Sequence, residues 1–161
     1  MHAIKIFLAI LAVSIPAVGA HADAVMPGSV IEPFSVADQH GQGATLDGTV
    51  RVLMFSRDMT ANKLAKKAFL DKPEGYLESS HAMYLIDVSG MPGFVTRMFA
   101  IPKMQKYGYR IFLDHEGDLT TKLPTREDEV TVMTLDGLTV TSIDYVRDAA
   151  ALVQAVEKAA P

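Results

Sequence analysis

Two compact apolar runs, residues 50–55 and 82–88, bracket a stretch patterned as a helix, and this alternation constrains the fold more than any other feature of the chain. Both runs have strand length and carry β-branched residues (Val50 and Val52, Ile86 and Val88), the composition of strands buried on both faces. Ser56, Arg57 and Asp58 break the first run, after which Ala61, Leu64, Ala65 and Ala68 recur on one helical face. Asp58 or Thr60 can cap that helix, which the pattern carries through Leu70. Lys66, Lys67 and Lys72 suit the negative pole near its end, and Pro73 stops it. Strand, helix, strand is a βαβ unit, which commits the chain to an α/β sheet.

The rest of the sequence extends this unit. Residues 24–48 hold Pro27-Gly28, Pro33, Asp38-Gln39-His40-Gly41 and Asp47-Gly48, which predicts an extended opening with short strands at best. After the second strand Pro92 sits at a first helical position, and Phe94, Met98 and Ile101 recur at helical spacing. Pro102, lacking the amide that would bond back, is expected to kink or end that helix. Residues 109–113 predict a third strand, followed by the turn Asp114-His115-Glu116-Gly117. Residues 130–135 and 138–143 are joined by Asp136-Gly137, a strong hairpin signal. Over residues 144–159, Tyr145, Ala149, Leu152, Val153 and Val156 form one stripe of a final helix packed on the sheet. The order predicts an α/β sandwich: a mixed central sheet with helices on both faces and a C-terminal β-hairpin plus helix.

Composition narrows the function classes. With 161 residues, 49% apolar and 21% charged, the chain fits one ordinary domain, and no linker or internal repeat divides it. Lys and Arg total 15 against 19 acidic residues, a net charge of −4, so neither nucleic acid nor a charged membrane surface is an expected partner. The absence of cysteine excludes a thiol nucleophile, a disulfide, a cysteine-held zinc or iron–sulfur site and a lipoprotein anchor. At the start, Lys5, an unbroken apolar run over residues 6–13, Pro16 and the small-x-small pattern Ala20-His21-Ala22 predict an export signal of residues 1–22. The apolar stretch is about half the ~20 residues a spanning helix needs. Cleavage after Ala22 would leave a domain over residues 23–161, with a net charge of −5, no stable membrane anchor and a periplasmic or secreted location.

A family resemblance rests on particular residues. Gly28-x-x-x-x-Pro33-Phe34, Asp38-x-x-Gly41 and Leu46-Asp47-Gly48-x-Val50-Arg51-Val52-Leu53 resemble the opening of peroxiredoxin-type proteins of the thioredoxin fold. The likeness is closer to the YtfJ-type family of small exported thioredoxin-like proteins, which lack redox cysteines. It continues through Thr60-Ala61-x-Lys63, Gly93-Phe94-Val95-x-Arg97, Ile111-Phe112-x-Asp114-x-x-Gly117 and the Asp136-Gly137 hairpin, nearly all of residues 28–158. The resemblance implies a thioredoxin-like sandwich. Two departures argue against thiol–disulfide exchange or peroxide reduction. Ser56, Arg57, Asp58 and Met59 stand where redox members carry cysteines, and Gly108-Tyr109-Arg110 stands before the third strand, where they are expected to carry a cis-proline.

Several constellations carry chemistry that the surrounding sequence supports or denies. Ser56, Arg57, Asp58 and Thr60 open a helix whose free amides can hold an anion beside the Arg57 guanidinium; the alternative is a plain helix cap with Arg57 solvated. Ser56 as a nucleophile would need a base, and His40, His81 and His115 have no local triad context. Asp114, Glu116 and Asp118 alternate like calcium ligands, but Leu119 and Thr125 occupy the positions where a calcium loop needs Gly and Glu, so a turn of solvated carboxylates is expected. Met91, Met98 and Met104 read as core packing in preference to a copper site. Glu127-Asp128-Glu129 reads as a solvated loop. Dinucleotide, nucleotide and zinc-protease motifs are missing, so no cofactor and no metal are expected.

Two readings follow. In the first the chain is a non-catalytic exported domain that binds a protein or peptide, lying beside Tyr109 and Arg110 or added to a sheet edge. In the second it is a small-ligand binder or non-thiol enzyme using Ser56, Arg57, Asp58 and Tyr109 or Arg110 around the helix start, with an anionic substrate.

Overall fold

The computed structural model describes residues 24–160; the export signal and its cleavage site lie outside the described residues. The elements are β1 (Phe34–Ala37), β2 (Gly43–Leu46), β3 (Val52–Ser56), α1 (Met59–Phe69), α2 (Tyr76–Ser79) and β4 (Ala82–Asp87). There follow α3 (Gly93–Val95), a π-helical segment (Thr96–Ala100), α4 (Ile101–Met104), β5 (Phe112–Asp114), β6 (Val130–Asp136), β7 (Thr139–Val146) and α5 (Ala149–Ala159).

Five strands form one mixed sheet in the order β5-β4-β3-β6-β7, and β1 and β2 form a separate antiparallel hairpin. β3, β4 and β5 run parallel, with Phe55 beside Leu85 and Leu85 beside Phe112, while β6 pairs antiparallel with β3 and β7 with β6. The apolar runs become the interior strands because their side chains are covered on both faces: every residue of β3 and of β4 is buried.

Alternation along the strands sorts the interior into two clusters. Val52, Met54, Tyr84, Ile86, Ile111 and Val132 face a layer built from Ala61, Ala65 and Phe69 of α1, Leu77 of α2, and Leu152 and Val156 of α5. Leu53, Phe55, Met83, Leu85, Phe112 and Met133 face the other way, onto Val36, Leu46, Ile31 and Leu123. The mixed sheet is as predicted, but among the described residues the helices cover one face of it, and the β1–β2 hairpin and loops cover the other. The reason is topological. From β3 to β4 to β5 the chain steps in one direction across the sheet, and crossovers of one hand then lay their helices on one side.

Three local expectations shift. The hairpin turn is centred on Gly137 and Leu138, since Asp136 already pairs with Thr139; Gly137 has φ +58°, the positive value that a II′ turn gives to its first central residue. β7 continues to Val146, so Asp144 and Tyr145 are strand residues and α5 begins only after Asp148, whose side chain caps it through the Ala151 amide at 3.0 Å. The helix does not stop at Pro102. The turn before it widens, with the Ile101 amide bonding to the Thr96 carbonyl five residues back, and the backbone stays helical to Met104. That wider turn breaks the 3.6-residue period, and Phe94 and Met98, placed by spacing on a packed face, stand 63% and 64% exposed.

Candidate functional site

The start of α1 is built from polar groups that satisfy one another. Ser56, the last residue of β3, is fully buried; its Oγ lies 2.6 Å from Asn62 Oδ1 and 2.7 Å from the Tyr84 hydroxyl, which also reaches Asn62 Oδ1 at 3.1 Å. Burial, the largest influence, pushes the Tyr84 phenol well above its ordinary value, so it is a neutral hydroxyl at any physiological pH. Asp58 caps the helix through Oδ1, which accepts the Ala61 amide at 2.8 Å, and its Oδ2 accepts the Asp128 amide at 3.1 Å. Thr60 is exposed on the first turn. Arg57 leans away from this helix onto Asp87, Nε to Oδ2 at 2.8 Å, over the Phe55 ring. Ser56 contacts no imidazole, and His40, His81 and His115 are exposed, so nothing in this geometry activates it as a nucleophile.

Facing the α1 start is the stretch before β6, through Asp128 and its positive φ of 61°, and not residues 108–110, which precede the edge strand β5. Two residues in these loops, expected to be solvated, are buried. Asp114 accepts the amides of Gly117 and Thr120 and the Thr120 hydroxyl at 2.9–3.0 Å, which closes the turn after β5. Gly117 must be glycine there: φ is +80° and a Cβ would lie 2.8 Å from Ser89 Oγ. Glu129 is buried with Oε1 2.6 Å from Arg147 Nε, while Asp128 is fixed by Asp58. Of the acidic run only Glu129 is built into the fold by its side chain; Glu127 and Asp128 are exposed, as expected, with the Asp128 backbone amide held by Asp58.

Arg110 belongs to a third place. Its Nε donates to Asp38 Oδ2 at 2.7 Å, and Asp38 also accepts the amides of His40 and Gln42. Burial works against the Asp38 charge, but Arg110 and the two amides outweigh it and hold the carboxyl below its ordinary value. Asp87 follows the same pattern: burial opposes its charge, and Ser89 and Arg57 prevail. Next to Asp38, Gln39 acts as a substitute strand. Its amide donates to the Ile111 carbonyl at 3.0 Å, its Oε1 accepts the Ile111 amide at 2.8 Å, and its Nε2 donates to the Tyr109 carbonyl at 2.8 Å. Gln39 thereby satisfies the Ile111 amide and carbonyl and the Tyr109 carbonyl, just before β5 joins the sheet at Phe112.

Of the six sequence-predicted residues, only Tyr109 lines a largely apolar cleft beside α1. This groove, about 440 Å³, runs between α1 and the helix of residues 93–104. Tyr84, Ile86, Tyr109 and Ile111 form its floor, Met59 and Asn62 one wall, and Phe99, Ala100 and Met104 the other. Lys63 and Lys66 from α1 and Lys103 from the opposite wall stand around it, and among the described residues no carboxylate lines it. Lys66 Nζ lies over the Tyr107 ring, 5.2 Å from its centre. Phe94 stacks edge-on against Phe99, centres 5.9 Å apart, so apolar surface continues outside the mouth. Met91 and Met104 pack on the core beneath, as expected, whereas Met98 is exposed. Sequence reading missed the groove because its walls come from helices about 35 residues apart; spacing places Met59, Asn62, Lys63 and Lys66 on one face of α1 but cannot bring the second wall to it.

No family model and no curated protein matches the chain. Solved structures do resemble it. A putative protein disulfide isomerase from Bacteroides thetaiotaomicron superposes with a TM-score of 0.55 at 17% identity, over 84% of this chain and 91% of that one. The thioredoxin domain of a thiol-disulfide oxidoreductase from Bacteroides vulgatus gives 0.55 at 14% identity, over 86% and 100%. Peroxidoxin BcpB from Mycobacterium tuberculosis gives 0.52 at 13% identity, over 82% and 96%. At these identities the likeness establishes the fold, which is thioredoxin-like, in a chain without cysteine.

Proposed function

We propose that this protein is a non-catalytic thioredoxin-like binding domain, akin to the YtfJ-type exported proteins, that holds an apolar segment of a protein or peptide in the groove between α1 and the helix of residues 93–104. The observation that carries this reading is the groove itself. It is concave and mostly apolar, with a few polar groups at defined places, the build of a recognition site, and no activated nucleophile or metal-ligand cluster stands in it among the described residues. The exposed rings of Phe94 and Phe99 at its mouth extend it into a patch of the kind that marks interaction surfaces.

The test uses an apolar dye, anilinonaphthalene sulfonate, and the folded chain. Wild-type protein enhances the dye's fluorescence, and Ala100→Trp, which fills the groove, removes most of that signal while Thr141→Trp on β7 keeps it. Equal signals from all three proteins contradict the reading. Export belongs to the same proposal: a chain recovered from outside the cytoplasm begins at Asp23, and recovery only as the full-length cytoplasmic form contradicts it.

A further inference from the structure

Resting on the groove as binding site, we infer that its occupant is an acidic amphipathic helix supplied by a partner protein. Three observations carry this. The first concerns backbone groups. An extended peptide that enters a buried groove must pair its own amides and carbonyls, and the strand edge bordering this groove offers few partners, because Gln39 occupies the Ile111 amide and carbonyl and the Tyr109 carbonyl. Gln39 is held in turn, its carbonyl accepting from Gln105 Nε2 at 2.9 Å. A helix brings its backbone already satisfied and needs only side-chain contacts.

The second is charge. Lys63, Lys66 and Lys103 stand on both sides of the apolar floor with no carboxylate lining the groove, and none of them forms a salt bridge among the described residues, on a chain whose net charge is −4. A cationic rim on both walls complements a segment with carboxylates on both flanks of an apolar stripe. A single-headed fatty acid would match one wall only. The third is Asn62, which lines the groove: its Oδ1 accepts from Ser56 and Tyr84, which leaves its NH2 group as the donor for a side-chain oxygen.

The experiment compares four probes on the folded protein by fluorescence anisotropy and displacement of the dye. The first is a capped peptide of about four helical turns with leucines on one stripe and glutamates beside it. The second replaces its glutamates with lysines, the third keeps the composition but carries a central proline, and the fourth is dodecanoate. The acidic helical peptide binds; charge reversal and the proline each weaken it by about tenfold or more, and Lys63→Glu with Lys103→Glu weakens it similarly without changing the melting temperature. Equal binding of the proline peptide overturns the helical form, and equal binding of the lysine peptide overturns the acidic one. Dodecanoate displacing the dye where no peptide does overturns both. In these cases dye binding still reports the groove, so the reading it rests on fails only if the Ala100→Trp comparison fails.

Discussion

The loops at the strand ends and the groove beside α1 treat charge in opposite ways. On the one hand the charged residues of the sequence-predicted site are all matched: Arg57 with Asp87, Arg110 with Asp38, Asp58 with the amides of Ala61 and Asp128. On the other, three lysines stand around exposed aromatic and methionine surface with no acid among them. Buried, paired charges fix loops to the sheet, and their removal costs stability because a partner is left unsatisfied. Cations held beside apolar surface without partners add little to the fold and are free to meet a ligand.

The sharpest break in this contrast comes from Asp38→Ala, which strips an acceptor from Arg110 and from the amides of His40 and Gln42 and is expected to cost about 2–3 kcal/mol in denaturant unfolding. A loss near zero would mean that this ion pair is ornamental. Acid acts on the same pairs. Asp38 and Asp87 are held below the ordinary 3.8, so the unfolded chain takes up protons first as pH falls. The stability the two carboxylates lend is therefore present above that value and lost as pH drops through their folded values. Melting temperature should fall below about pH 4, and Asp38→Asn should flatten that fall. Asp58→Ala removes a helix cap and the tether to Asp128, for about 1–2 kcal/mol. Tyr84→Phe removes a hydroxyl shared with Ser56 and Asn62, for about 1 kcal/mol. Smallest is Phe99→Ser: with its ring 63% exposed, stability should stay within about 0.5 kcal/mol while dye binding falls.

How much of this was legible in the sequence depends on the range of the signal. β3, β4, α1 and the β6–β7 pair follow from local periodicity, and Asp58 as a cap follows from its place before an apolar stripe. The second sheet face was not legible, because covering it falls to Val36 and Leu46 in a turn-rich stretch whose apolar residues look sparse. Nor was the role of Gln39, since a glutamine that replaces a strand has no signature until Tyr109 and Ile111 lie beside it. The sequence pointed to Arg57 and Arg110 because guanidinium groups suit anions, and the fold turns both toward buried aspartates. The lysine rim stayed hidden for the converse reason: on a helix surface a lysine is ordinary, as Lys66 near the end of α1 is, and only the opposite wall makes it a rim.

The most direct measurement is a backbone amide shift map of the isotopically labelled protein titrated with the acidic helical peptide. The account predicts that perturbed amides gather at Met59, Asn62, Lys63, Phe99, Lys103 and Tyr107, with those of Arg57, Asp87 and Arg110 unchanged. Perturbation centred on Arg57 and Asp87, or spread along β7, would contradict it.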